Sequence, residues 1–166
     1  MTNLTITHEI DREVVVRDGD VELFRYVYIP DNVQLESTRP YFYPIRTRAG
    51  LDTGLYRPHD HVWHKGITLS LPVVNNENFW GGPPYVTGEG YVQLPNNGTQ
   101  GHRRFPELHP SPQRVVIEHD RQVVAGRDVA AGDDGVAPAG GLDGHLDFTA
   151  ERMHPLPPLR GRVARP

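Results

Sequence analysis

The chain has 166 residues and a formal charge of −4, a length that suits one domain with a real core and a charge that leaves no excess for phosphates or anionic lipid. Nucleic acid and membrane surfaces are therefore not expected as partners, and no stretch reaches the roughly 20 apolar residues that cross a bilayer. Cysteine is absent, which excludes disulfides, thiolate metal sites and thiol nucleophiles and leaves His, Asp or Glu as the side chains for any metal.

Met1 to Ile10 lacks the charged start and apolar middle of a signal peptide, which predicts a cytoplasmic protein. Leu4, Ile6 and Val14 to Val16 read as a first strand, and Asp18-Gly19-Asp20 supplies the small polar residues of a tight hairpin turn. Val21 to Ile29 alternates partly with period two and is rich in aromatic and β-branched types, so it is the second strand. Tyr41 to Ile45 is the third, pushed toward an edge or an irregular path by Pro40 and Pro44. Arg57 to Gly66 reads as a polar loop feeding a strand at Ile67 to Leu71. Asn75-Asn76, Gly81-Gly82-Pro83-Pro84 and Asn96-Asn97-Gly98 then divide short apolar pieces, among them Tyr91 to Leu94, and Val115 to Ile117 is the last strand. No run has a helical period, and short strands between Gly/Pro turns predict an all-β, antiparallel sandwich or barrel.

The one chemically loaded segment is His59-Asp60-His61-Val62-Trp63-His64-Lys65. In an extended chain His59 and His61 project to one side and could share a divalent metal, whereas His64 returns to that side only if the chain bends. Asp60 or Glu77 could orient a ring or complete a coordination sphere. The alternative is a cluster of hydrogen-bonded or substrate-facing imidazoles. Around it lie groups suited to a polyhydroxylated ligand: Trp63, Trp80, Tyr85 and Tyr91 offer ring faces, and Arg39, Lys65, Asn75, Asn78 and His102 offer hydrogen bonds. Trp63 and Trp80 equally suit the core of a sandwich. The remaining histidines, His119 among them, show no useful spacing. Nucleophile-elbow, phosphate-loop, dinucleotide, HExxH and EF-hand motifs are all missing.

Arg39-Pro40-Tyr41-Phe42-Tyr43-Pro44-Ile45, then Gly50, then Asp60-His61-Val62-Trp63-His64-Lys65-Gly66, with Gly90-Tyr91 and His102 further on, resembles the bacterial PmoA-like family, labelled "methane oxygenase". The likeness covers roughly Val15 to Asp120. It implies a β-sandwich related to the sugar-binding supersandwich of aldose epimerases, with His61, His64 and Lys65 as candidate catalytic groups and Arg39, Asp60, Trp63 and His102 as candidate substrate-binding groups. Methane chemistry is set aside, because the methane-oxidising subunit of that name spans the membrane several times.

Three functions follow as expectations. The first is carbohydrate-directed binding or conversion, with His61 and His64 as acid, base or hydrogen-bonding groups near neutral pH. The second is a cupin-like metal-dependent oxygenase or isomerase, with His59 and His61 as metal ligands and His102 closing the site. The third is a truncated, non-catalytic β-domain that binds a partner through open strand edges. After Asp120, Phe148 is the only Phe, Tyr or Trp, and Gly, Ala, Pro and Arg dominate. Such a composition buries little apolar surface against an ordering cost of about 1–2 kcal/mol per residue. The expected organisation is therefore a truncated sandwich over 1–120 and an irregular or out-of-frame tail over 121–166 that contributes no strand.

Overall fold

A computed structural model of the chain describes residues 3–36, 39–111, 114–124 and 147–149. The described fold is all-β, with antiparallel sheets that do not close into a barrel. The first sheet is a meander of β1 (Leu4–Glu9), β2 (Glu13–Asp18), β3 (Val21–Val27) and β4 (Tyr41–Ile45), in that order. Gly19, at φ 59°, makes the hairpin turn between β2 and β3, as expected from Asp18-Gly19-Asp20. The expected single strand over Leu4 to Val16 is two, because Asp11 takes φ 61° and reverses the chain there. Between β3 and β4 the one helical feature among the described residues is a 3₁₀ turn, Gln34–Glu36.

β5 (Tyr85–Val86) and β6 (Gly90–Tyr91) form a small hairpin. The second large sheet contains β7 (Thr99–Pro110), β8 (Val115–Val124) and β9 (Asp147–Thr149). β7 is the longest strand, and it was not expected, since Gly101, Pro106 and Pro110 all argue against a ladder. Two register shifts, between His102 and Arg104 and between Arg104 and Glu107, let it run past Pro106. Of residues 121–166, the structure describes 121–124, which finish β8, and Asp147–Thr149, which pair with Val116–Glu118. The rest of the expectation about that segment lies outside the described residues.

The inner faces of the two large sheets share one core. Leu4, Val14, Val16, Tyr26, Tyr28 and Phe42 come from or beside the first sheet, and Val115 and Ile117 from the second, with Phe105 and Leu108 packed against them. Burying each such side chain contributes about 1.5–3 kcal/mol, which is why two half-apolar sheets stack face to face.

The strand expected at Ile67 to Leu71 does not form as a separate element. Ile67 alone joins the edge of β4, through Phe42 N–H to Ile67 O at 2.8 Å and Ile67 N–H to Phe42 O at 3.1 Å. Beyond it the bonds are scattered over distant partners: Arg39 Nε donates to Thr68 Oγ1 at 3.0 Å, Gln100 Nε2 to Leu69 O at 3.0 Å and Phe79 N–H to Leu71 O at 3.2 Å. Among the described residues, no helix is long and apolar enough to cross a membrane.

Candidate functional site

The histidine segment bends. His61 N–H donates to Pro58 O at 3.0 Å and His64 N–H to His61 O at 2.9 Å, so residues 58–64 make two successive turns instead of an extended run. Positions three apart then come together, and the rings of His61 and His64 stack with centroids 5.1 Å apart and an interplanar angle of 28°. His59 is exposed and outside this stack. The pairing of His59 with His61 as metal ligands depends on an extended chain, which these turns remove. Among the described residues no three His, Asp or Glu side chains are placed to hold a metal.

Asp60 orients the outer imidazole: its Oδ2 lies 3.1 Å from His61 Nδ1, with both side chains about half exposed at 59% and 48%. Trp63 packs against both histidines, with centroid distances of 5.1 Å to His61 and 5.9 Å to His64, and Trp80 lies 6.2 Å from His64. The Trp63 indole also covers Gly82, where a Cβ would come within 2.5 Å of the ring, so glycine is required there by space as well as by its φ of 70°. The Trp63 Nε1–H is buried with no hydrogen-bond partner.

Two buried cations hold this arrangement. Arg39, 3% exposed, donates through Nη1 to Phe79 O at 3.2 Å and to Trp80 O, and through Nη2 to Trp63 O at 3.0 Å. One guanidinium thus ties together the two backbone segments that carry both tryptophans. Burial lowers its pKa to about 10, which still leaves it charged at neutral pH. Lys65, 2% exposed, donates to Glu36 Oε2 at 2.7 Å and to Val62 O at 3.1 Å. Glu36 is also gripped by Arg57, and the Arg57 hydrogen bonds with those of Lys65 hold its carboxyl down at about 2. Asn78 supplies the last fixture, accepting the Trp80 and Gly81 N–H groups at 2.9 and 3.1 Å on one side-chain oxygen.

These supports surround a cleft of about 510 Å³. Its walls include His64, Trp80, Thr68, Ser70, Ile67 and Leu55, with Arg39 and Lys65 beneath. His64 is exposed. Partial burial holds its pKa below the ordinary imidazole value, and the charges of His61 and Arg39 push in the same direction, so it is a neutral donor and acceptor at pH 7.

His102 belongs elsewhere. Its Nδ1 lies 2.7 Å from His119 Nε2, and His119 Nδ1 lies 2.5 Å from the Tyr26 hydroxyl, so the three rings form a hydrogen-bonded line between the two sheets. Sequence reasoning passed over His119, yet a signal was present. Val115, Ile117, His119 and Arg121 alternate along β8 and are all nearly inaccessible, at 2, 3, 2 and 6% exposure, so the period-two rule extends the buried face past the last apolar residue. Of the expected site residues, the structure therefore brings His61, Trp63 and His64 together beside the cleft, with Asp60 on the outer histidine. Arg39 and Lys65 lie under it, His59 lies outside the stack, and His102 sits in the core line.

The fold and site define an all-β protein of antiparallel sheets with an aromatic and imidazole-lined cleft on its loop side. The chain belongs to a family of unknown function (DUF6807), whose model matches residues 13–133, a span that includes the cleft and both large sheets except β1 and β9. Comparison with curated proteins and with solved structures gives no match.

Proposed function

We propose that the chain binds a carbohydrate in the His64–Trp80 cleft, with His64, backed by His61 and Asp60, as its hydrogen-bonding and proton-transferring group. The observation that carries this reading is the composition of one wall set: an indole, a neutral imidazole and the Thr68 and Ser70 hydroxyls around about 510 Å³. A sugar ring presents apolar C–H faces and a rim of hydroxyls, and such a surface is matched by one flat aromatic and several donors and acceptors. The likeness of the Asp60 to Gly66 block to the PmoA-like family, with its expected kinship to sugar-binding sandwiches, points the same way on fold analogy alone.

Within this reading Arg39 and Lys65 are positioning residues. Their charged heads are already engaged with loop carbonyls and Glu36, so using either on a ligand would leave buried acceptors unpaired. Trp63 is likewise a packing residue that fixes the histidine pair. Calorimetric titration with a panel of mono- and oligosaccharides tests the proposal. At least one sugar should bind, Trp80→Ala and His64→Ala should each weaken it by about tenfold, and His64→Ala should leave the fold intact, because His64 is exposed. Silence across the panel, or full affinity in both variants, would reject the assignment.

A further inference from the structure

A second cleft, of about 670 Å³, opens on the other side of the segment that carries Leu55 and Pro58 into the first. Tyr56 points the opposite way from those two and lines it with Tyr41 and Tyr43. The three rings form a continuous aromatic wall: Tyr43 and Tyr56 stack at 5.0 Å, and Tyr41 lies 5.7 Å from Tyr56. Facing the wall are Asp11, Glu13, Asp31 and Asn32, with Arg12 and Arg25.

The polar groups are not evenly matched. Arg25 is engaged by Glu13 at 3.0 Å and by Glu22 at 3.2 Å, and Arg12 by Glu9 at 3.1 Å. Asp11 and Asp31 have no ion-pair partner among the described residues, and the Asn32 side-chain oxygen is buried without a donor. The open valences among these groups are thus acceptors, and two of them are anionic. An occupant that satisfies them brings N–H donors and positive charge, and tyrosine faces attract a cation as well.

We infer that this tyrosine-walled cleft is a binding site for a primary ammonium group, carried by an alkyl amine or an amino sugar. The site is separate from the His64–Trp80 cleft and does not depend on what that cleft binds. Calorimetry on the full chain tests it with cadaverine and glucosamine as ammonium probes and 1,5-pentanediol and glucose as their neutral counterparts. An ammonium probe should bind on the order of tenfold or more tighter than its neutral counterpart, and added salt should weaken it. Asp31→Asn should weaken that binding by about tenfold with the melting temperature unchanged, because Asp31 is exposed. Binding of cadaverine alone assigns the ammonium to an alkyl chain, and binding of glucosamine alone assigns it to a sugar. Equal binding of charged and neutral probes, no binding by either ammonium probe, or full affinity in both Asp31→Asn and Asp11→Asn would overturn the inference.

Discussion

Lys65 shows how far a residue's chemistry depends on its surroundings. As the only lysine in the chain, next to a histidine, it invites a catalytic reading. Its ammonium group instead completes a cluster with Glu36 and Arg57 that pins the histidine segment to the 3₁₀ turn. The cluster is asymmetric, because Glu36 has two cationic partners whereas Lys65 has one carboxylate. Glu36→Gln should therefore cost about 3 kcal/mol, since it strands a buried ammonium, whereas Lys65→Met should cost about 1 kcal/mol or less, because Arg57 still neutralises Glu36. Urea unfolding of the two variants measures the difference. Equal losses would show that the cluster is not centred on Glu36. None of this was legible in the sequence, where Glu36 lies 29 positions from Lys65 and carries no motif.

At the level of elements, the hairpin of β2 and β3 and the path of β4 were legible, because period-two patterning and Asp18-Gly19-Asp20 are local signals. The segment after the histidines was not. Ile67 to Leu71 has strand composition, but its hydrogen bonds go to Phe42, Arg39, Gln100 and Phe79, which are distant in the chain and lie on no single strand. Strand β7 was hidden for the opposite reason, since its prolines are accommodated by bulges that no local pattern announces. The bend at residues 58–64 was left open by the sequence and decides the site, for it stacks His61 on His64 and separates His59 from them. Gly66 is the pivot that joins this bend to the edge of β4. A Cβ there would meet Phe42 O at 2.1 Å, and its φ of 65° is unfavourable for any other residue. Gly66→Ala should destabilise the protein by about 2–3 kcal/mol and release Ile67 from Phe42. Faster amide exchange at Phe42 and Ile67 than at the β2 and β3 amides is the expected signature. Unchanged protection at both would mean that the loop absorbs the methyl group without moving.

Across the whole molecule, the line Tyr26–His119–His102 joins the two sheets through polar groups beside their shared apolar core. Burial lowers the His119 pKa to about 3, with the charges of His102 and Arg121 adding to the effect, so the folded protein holds this imidazole neutral. The unfolded chain protonates it near the ordinary value of 6.5. Between about pH 6.5 and pH 3 the unfolded state thus binds a proton that the folded state refuses, and stability must fall as the pH falls through that window. The slope is about 1.4 kcal/mol per pH unit for one such group. Above the window the contribution is complete. Glu36 adds a second loss only lower down, since its carboxyl is ordinary at 4.5 when unfolded and is held at about 2 when folded. The interval from pH 6.5 to 5 therefore isolates the histidines, and His64 and His102, whose pKa values are also lowered, share it with His119. Replacing His119 by glutamine keeps a donor and an acceptor between Tyr26 and His102 but removes the titrating group. His119→Gln should lower stability at pH 7.5 through imperfect hydrogen bonding, and its stability should decline less steeply than that of the wild type from pH 6.5 to 5. Denaturant midpoints measured at half-unit pH steps give both slopes, and parallel curves would show that His119 is protonated in the folded protein and that the two sheets are not joined by a neutral line.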